Sequence, residues 1–365
     1  MKTILVVAGT RPEVIKVAPI VLHAKERLRS RLRVELCLTG QHQVLADDAL
    51  GIFGLKADHN LGIMVADQSP NDVSRAVFGK LPHVLENVRP DVIIVQGDTT
   101  SAASAALCAF NMSIPVAHVE AGLRSHNVKA PFPEELNRKV ITATARYNFC
   151  PTESAKADLL DESIEERSIV VTGNTIVDAL RIIAENYELN DVASVHPSVK
   201  RPFVLVTAHR RESFGQGVEN ICSALRQCAS LFPNHQFIYP VHLNPNIDGP
   251  VRRALANVKN ILLLPPVSYL QLLTLLKNCE LAVSDSGGIQ EECPSFDRYC
   301  VVLRSVTERR ESVDLGLSEL VGTDTQRIIN AVSRRLDGHD PYPRVPNPYG
   351  DGHAAERILE HLASN

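Results

Sequence analysis

Short apolar runs alternate with longer amphipathic stretches along the first half of the chain. ILVVAG is followed by PEVIKVAPIVLHAKERL, DVIIVQG by SAASAALCAF, YNFC by TESAKADLL and SIVVTG by NTIVDAL, with VELCLTG and IPVAHVEAG as further apolar runs. This alternation predicts βαβ units and a mostly parallel sheet covered on both faces. Pro12 suits the first helical position, where its missing N–H is harmless. Pro19 lies deeper and is expected to kink or shorten that helix. Between Glu185 and Arg201 the pattern lapses into polar residues, and a second series begins: PFVLVTAH, QFIYPVH, NILLLPPVS, ELAVSD and YCVVLRS. The fold class expected is α/β, with two Rossmann-like doubly wound domains over residues 1–172 and 173–351 joined near 172–200. The tail HDPYPRVPNPYGDG, rich in Pro and Gly, precedes a helical pattern, HAAERILEHLAS, that could pack back on either domain.

In open parallel sheets ligands sit beyond the carboxyl ends of the strands. Directly after predicted strands come Arg11, Asp98 in VQGDTT, Glu120 in HVEAGLR, His209 in TAHRRES, His242 in PVHLNP, and Asp285 with Ser286 in VSDSGGIQEE. The first strand-to-helix corner, VVAGTRPEVIK, has one glycine and the cations Arg11 and Lys16 where a dinucleotide fold would carry G-x-G-x-x-G.

In LAVSDSGGIQEE, Ser286, Gly287 and Gly288 would expose N–H groups at a helix N-terminus, a site for phosphate oxygens, with Glu292 placed to accept from ribose hydroxyls. The alternative is that Asp285 or Ser286 only caps a helix and the glycines make a tight turn. His209, Arg210 and Arg211 form either a diphosphate clamp or a solvated basic loop. Asp98, Glu120 and the pair Glu134 and Glu135 supply carboxylates suited to acid–base work, which needs one protonated donor and one ionised acceptor. Against this, Asp98 could cap the helix starting in TTSAAS, and Glu134 and Glu135 could be helix-start acids. His118 with Glu120 is the one close couple of metal-ligand type, and zinc sites are built on more compact pairs.

Composition narrows the classes. Hydrophobic residues at 44% and charged residues at 22% are ordinary for a globular protein, and a formal charge of -4 does not support a nucleic-acid groove or a membrane patch. The apolar start is too short for a signal-peptide core or a membrane span, and eight scattered cysteines without a C-x-x-C pair fit reduced, buried thiols. A cytoplasmic protein is expected.

Taken in order, AGTRPEVIK, QGDTT, HVEAGLRS, PFPEELNR, PTESAK, VTGNTIVDAL, TAHRRESFG, PVHLNPN, VSDSGGIQEE, TERRE, LVGTD and NPYGDG make the chain resemble the non-hydrolysing bacterial UDP-N-acetylglucosamine 2-epimerases over nearly its whole length. The resemblance implies a glycosyltransferase-B type fold, two domains facing a cleft with the last helix, 352–365, packed back on the first. It implies interconversion of UDP-N-acetylglucosamine and UDP-N-acetylmannosamine, through UDP elimination to 2-acetamidoglucal and re-addition, for cell-surface polysaccharide precursors. Neither metal nor cofactor is implied, and a homodimer is. By the same resemblance Arg11, Arg210, His242, Ser286, Gly287, Gly288 and Glu292 bind UDP or substrate, and Lys16, Asp98, Glu120, Glu134 and His209 serve the reacting sugar.

Three stretches depart from the family pattern. ECPSFDRYC stands for the usual E-A-P-S-L-G-K-P, and TERRE for T-E-R-P-E, with Arg310 in the proline's place. Many bacterial members bind a second UDP-N-acetylglucosamine as activator through a Gln-His-x-Gln-type stretch. Here Gln41 and His42 are kept, Val44 replaces the second polar residue, and Asp67 stands where some relatives have arginine. Within the same fold, a hydrolysing epimerase, a glycosyltransferase and a non-catalytic nucleotide-sugar sensor stay open as alternatives.

Overall fold

The structure, a computed structural model, describes all residues except 41, 42, 66, 339 and 340. The chain divides into two compact units, residues 1–185 with 349–365, and residues 186–348.

The first unit holds a seven-stranded parallel sheet: β1 (Lys2–Ala8), β2 (Leu32–Leu38), β3 (His59–Asn60), β4 (Val92–Gln96), β5 (Val116–Val119), β6 (Ala145–Cys150) and β7 (Ile169–Val171). Its spatial order is β3-β2-β1-β4-β5-β6-β7. The second holds β8 (Phe203–Thr207), β9 (Gln236–Pro240), β10 (Ile261–Leu264), β11 (Leu281–Ser284), β12 (Tyr299–Val302) and β13 (Ser318–Leu320), in the order β10-β9-β8-β11-β12-β13. The central strands β1, β8 and β11 are almost wholly apolar because helices cover both faces. In both sheets the winding reverses once, between β1 and β4 and between β8 and β11, and in such sheets ligands bind beyond the carboxyl ends at that point. Eleven strands fall on the predicted runs. The two unread ones, β3 and β13, are two- and three-residue edge strands, too short to show a period.

Two expectations are corrected. The first helix runs unbroken through Pro19 from Arg11 to Arg27, so the proline does not shorten it. Ten of its residues, Pro19 among them, are buried, and that packing outweighs one missing N–H donor. The compact first unit also reaches Glu185, beyond the expected boundary at 172, and resumes at Tyr349. Hydrogen bonds explain why helix Thr175–Asn186 belongs there. The Asp178 carboxylate accepts from Ala354 N at 3.1 Å and Ala355 N at 2.9 Å, covering the exposed N–H groups of the terminal helix Ala354–Ser364. That helix also receives Lys2 Nζ on the Leu362 carbonyl at 3.0 Å, and its His361 ring packs edge-on to Tyr147 and Phe149.

Among the described residues, no helix is long and apolar enough to cross a membrane. All eight cysteines are free and buried.

Candidate active site

At the first unit's switch point the loops after β1 and β4 are tied by one carboxylate. Glu13 Oε2 accepts from Gly9 N at 3.0 Å and Thr10 N at 2.6 Å, and Glu13 Oε1 from Thr99 Oγ1 at 2.7 Å. Burial pushes the Glu13 pKa up, against these hydrogen bonds. Arg11 follows, half-buried, and engages no carboxylate among the described residues. One turn on, the buried Lys16 ammonium pairs with Glu120 Oε2, which also accepts from Gln96 Nε2 at 2.9 Å. Glu120 sits just past β5 at φ 69°, in the left-handed region. That conformation costs a non-glycine residue about 1–3 kcal/mol and persists only where the surroundings impose it. It turns the carboxylate towards Lys16 and Gln96. Gly122, two residues on at φ 87°, must stay glycine, since a Cβ there would lie 2.1 Å from the Ala155 carbonyl oxygen.

Asp98 pairs with Arg138, and its carbonyl accepts from Asn137 Nδ2 at 2.8 Å. The residue at the cap of the following helix is Thr99, which accepts from Ala102 N at 3.0 Å. Of the two helix-start acids, Glu135 is fully buried, its Oε2 accepting from Ser125 N and Arg138 Nη1, both at 3.0 Å. Glu135 therefore positions Arg138. Glu134, half-buried at the first residue of helix Glu134–Thr144, is the one left more accessible.

The second unit's switch point is also knitted by a carboxylate. Asp285 Oδ2, fully buried, accepts from His209 N and Arg210 N at 2.8 Å each, and Asp285 Oδ1 lies 3.3 Å from His209 Nδ1. The exposed His209 ring stacks on His242, with centroids 5.8 Å apart and planes 17° from parallel. Neither Asp285 nor Ser286 caps helix Gly287–Glu292 through its side chain. The turn is instead built over a guanidinium: a Cβ on Gly287 would stand 2.9 Å from Arg309 Cζ. Arg309 is held by Glu291 at 2.9 Å and Glu308 at 3.1 Å, and Arg304 by Glu212 and Glu308 at 3.1 Å each. Arg210 lies within their field. Burial first, then Arg304 and Arg309, lower its pKa, so its charge is destabilised in the free protein. Glu292 Oε1 accepts from Tyr269 OH at 2.8 Å.

The residues picked from sequence thus gather as Arg11, Lys16, Asp98, Glu120 and Glu134 in one unit, and His209, Arg210, His242, Ser286, Gly287, Gly288 and Glu292 in the other. Sequence reading passed over Glu13, Gln96, Arg138, Arg304 and Arg309. Arg304 and Arg309 act through carboxylates that the sequence does not place beside them, and Arg138 stands four residues after Glu134 in the same helix. Among the described residues no group of three or more His, Cys, Asp or Glu side chains is placed to hold a metal. Gln41 and His42 of the activator stretch lie outside the described residues, and Asp67 is exposed.

A model of the family described as UDP-N-acetylglucosamine 2-epimerase matches residues 25–363. The UDP-N-acetylglucosamine 2-epimerases of Salmonella typhimurium and Yersinia pestis are 42% and 43% identical, each alignment covering 99% of this chain and 98% of the relative. The chain belongs to this family. Its fold agrees: the crystal structure of the Neisseria meningitidis UDP-GlcNAc 2-epimerase bound to UDP-GlcNAc superposes with a TM-score of 0.95 at 39% identity, covering both chains completely. The Methanocaldococcus jannaschii enzyme in complex with UDP-GlcNAc and UDP gives 0.87 at 35% identity, again over both chains. The architecture is that of two parallel-sheet Rossmann-like domains of the glycosyltransferase-B class. As a family member the chain is an isomerase acting on a nucleotide sugar.

Proposed function

We propose that the protein interconverts UDP-N-acetylglucosamine and UDP-N-acetylmannosamine, supplying precursors for cell-surface polysaccharide. Carbon 2 bears no carbonyl, so its proton is not acidic and departure of UDP must lead or accompany proton removal. The C1–O bond breaks with its electron pair leaving on the β-phosphate, the proton leaves carbon 2, and 2-acetamidoglucal remains. Re-addition of UDP at carbon 1 with protonation of carbon 2 from the opposite face completes the inversion.

The observation that carries this reading is the buried Lys16–Glu120–Gln96 set, a carboxylate held in a strained backbone position beside an ammonium. A pure nucleotide-binding site has no use for it. Glu120, Asp98 and Glu134 remove and return the proton, with Lys16 and His209 at the sugar. Ser286, Gly287, Gly288, Arg210, His242 and Arg11 take the negative charge that grows on the diphosphate, and Glu292 takes the ribose. The eight buried thiols suit a cytoplasmic setting, and a homodimer belongs to the same reading.

Incubation with UDP-N-acetylglucosamine in deuterated water tests it. The manno epimer should form with deuterium at carbon 2; an unlabelled product would overturn the elimination. The same tube separates the hydrolysing reaction, which would accumulate free N-acetylmannosamine and UDP.

A further inference from the structure

β5 is an interior strand, flanked by β4 and β6 and covered on both faces, where apolar residues are expected at every position. Two fully buried polar side chains break that rule. His118 of β5 and Asn148 of β6 are register partners, so they stand side by side on one face of the sheet. His118 Nε2 lies 2.8 Å from the Gly97 carbonyl oxygen. A carbonyl can only accept, so the proton is on Nε2 and the lone pair on Nδ1. Among the described residues Nδ1 has no hydrogen-bond partner, nor do the two polar atoms of the Asn148 amide. Leaving such atoms buried and unpaired is costly, and an apolar pair would avoid the cost.

The use of His118 lies at the other end of its ring. Gly97, at φ 73°, follows β4 directly and precedes Asp98. Its N–H is bound to the Val119 carbonyl at 3.0 Å and its C=O to His118, both from β5. The next carbonyl, that of Asp98, is held by Asn137, and the Asp98 carboxylate by Arg138. Without His118 the buried Gly97 carbonyl would lack its partner, and the 97–98 peptide could rotate, carrying Asp98 with it.

We propose that His118 is a positioning residue for the epimerase reaction: its Nε2–H fixes the Gly97–Asp98 peptide and thereby the direction in which Asp98 presents its carboxylate. This rests on the reading of Asp98 as a group that meets the sugar. The imidazole is suited to the task because it does not change charge in the working range. Burial lowers its pKa to about 4, Arg124 and Arg138 act in the same direction, and the Gly97 bond and Asp98 oppose them.

His118→Leu removes the donor, whereas His118→Gln places an amide N–H close to the position of Nε2. His118→Leu should lower kcat by about a hundredfold, the scale of an ångström-sized misplacement, with KM and UDP affinity changed by no more than about twofold. His118→Gln should recover most of that loss. A leucine variant with wild-type kcat, or a folded glutamine variant as slow as the leucine one, would overturn the proposal. Asp98→Asn run in parallel separates the two layers: if it turns over normally the role of Asp98 fails, and if it is inactive while His118→Leu is normal only the present inference fails. Should the leucine variant not fold, histidine 15N shifts of the wild-type protein at neutral pH decide. A neutral Nε2–H tautomer is expected for His118, and an Nδ1–H tautomer or an imidazolium would refute the assignment.

Discussion

The two units solve the same structural problem alike and the chemical one oppositely. In each, the loops at the switch point are tied by one buried carboxylate, Glu13 taking Gly9, Thr10 and Thr99, and Asp285 taking His209 and Arg210. Around that tie the first unit sets carboxylates against individual cations, Glu120 on Lys16 and Asp98 on Arg138. The second gathers three guanidiniums, Arg210, Arg304 and Arg309, by a glycine turn. On the proposed reading, the same doubly wound sheet offers proton-transfer groups in one copy and an anion cradle in the other. Chemistry follows the loop residues and not the fold.

This contrast can be broken most directly at Glu120. Glu120→Gln should lower turnover by about 10²–10⁴-fold, the usual worth of a positioned acid or base, while UDP affinity by calorimetry stays near wild type. Undiminished turnover would remove Glu120 from the chemistry.

The opposite split is expected in the second unit. Arg210→Ala should weaken UDP binding by about 1.5–3 kcal/mol, the value of a charge-assisted hydrogen bond, and leave the ligand-free melting temperature equal or higher. The sign follows from the field of Arg304 and Arg309, which disfavours the Arg210 charge in the free protein. Thermal unfolding with and without UDP reads both. A ligand-free protein that melts much lower would show Arg210 to be a structural residue. Arg11→Ala should weaken UDP binding less severely, and unchanged affinity would remove the first unit's cation from the nucleotide.

The smallest effect tests how firmly cations are paired in the first unit. Glu162 is held down to about 2 by its hydrogen bond from Arg124, with Lys139 helping, from a usual value of 4.5. A depressed native pKa gives stability that is present above the unfolded value and is lost as pH falls through the native one. The melting-temperature gap between wild type and Glu162→Gln should therefore exist at pH 7 and close as pH falls from near 4.5 towards 2. A gap that is constant with pH would place the effect of Glu162 in packing.

Particular residues show how far the sequence could be read. Asp98, Glu120, His209 and Ser286 were recognisable because each follows an apolar run directly, and the end of a run marks the end of a strand. Arg138 gave no such sign; it reaches Asp98 from mid-helix, forty residues on in sequence. The capping alternatives for Asp98 and Asp285 could not be settled locally either, since both carboxylates are engaged by groups from elsewhere in their unit, Arg138 for one and the loop after β8 for the other. Pro19 misled because propensity is a local quantity and burial of its helix is not.

By itself, the sequence determined the alternation of strands and helices, the duplication of the doubly wound unit, and which residues lie at strand ends, because those follow from local hydrophobic period. Tertiary structure alone decided which carboxylate positions and which is positioned. Glu134 and Glu135 are neighbours of identical chemistry, yet one is sealed against Arg138 and Ser125 while the other stays accessible. That difference depends on contacts between elements distant along the chain, which no local pattern records.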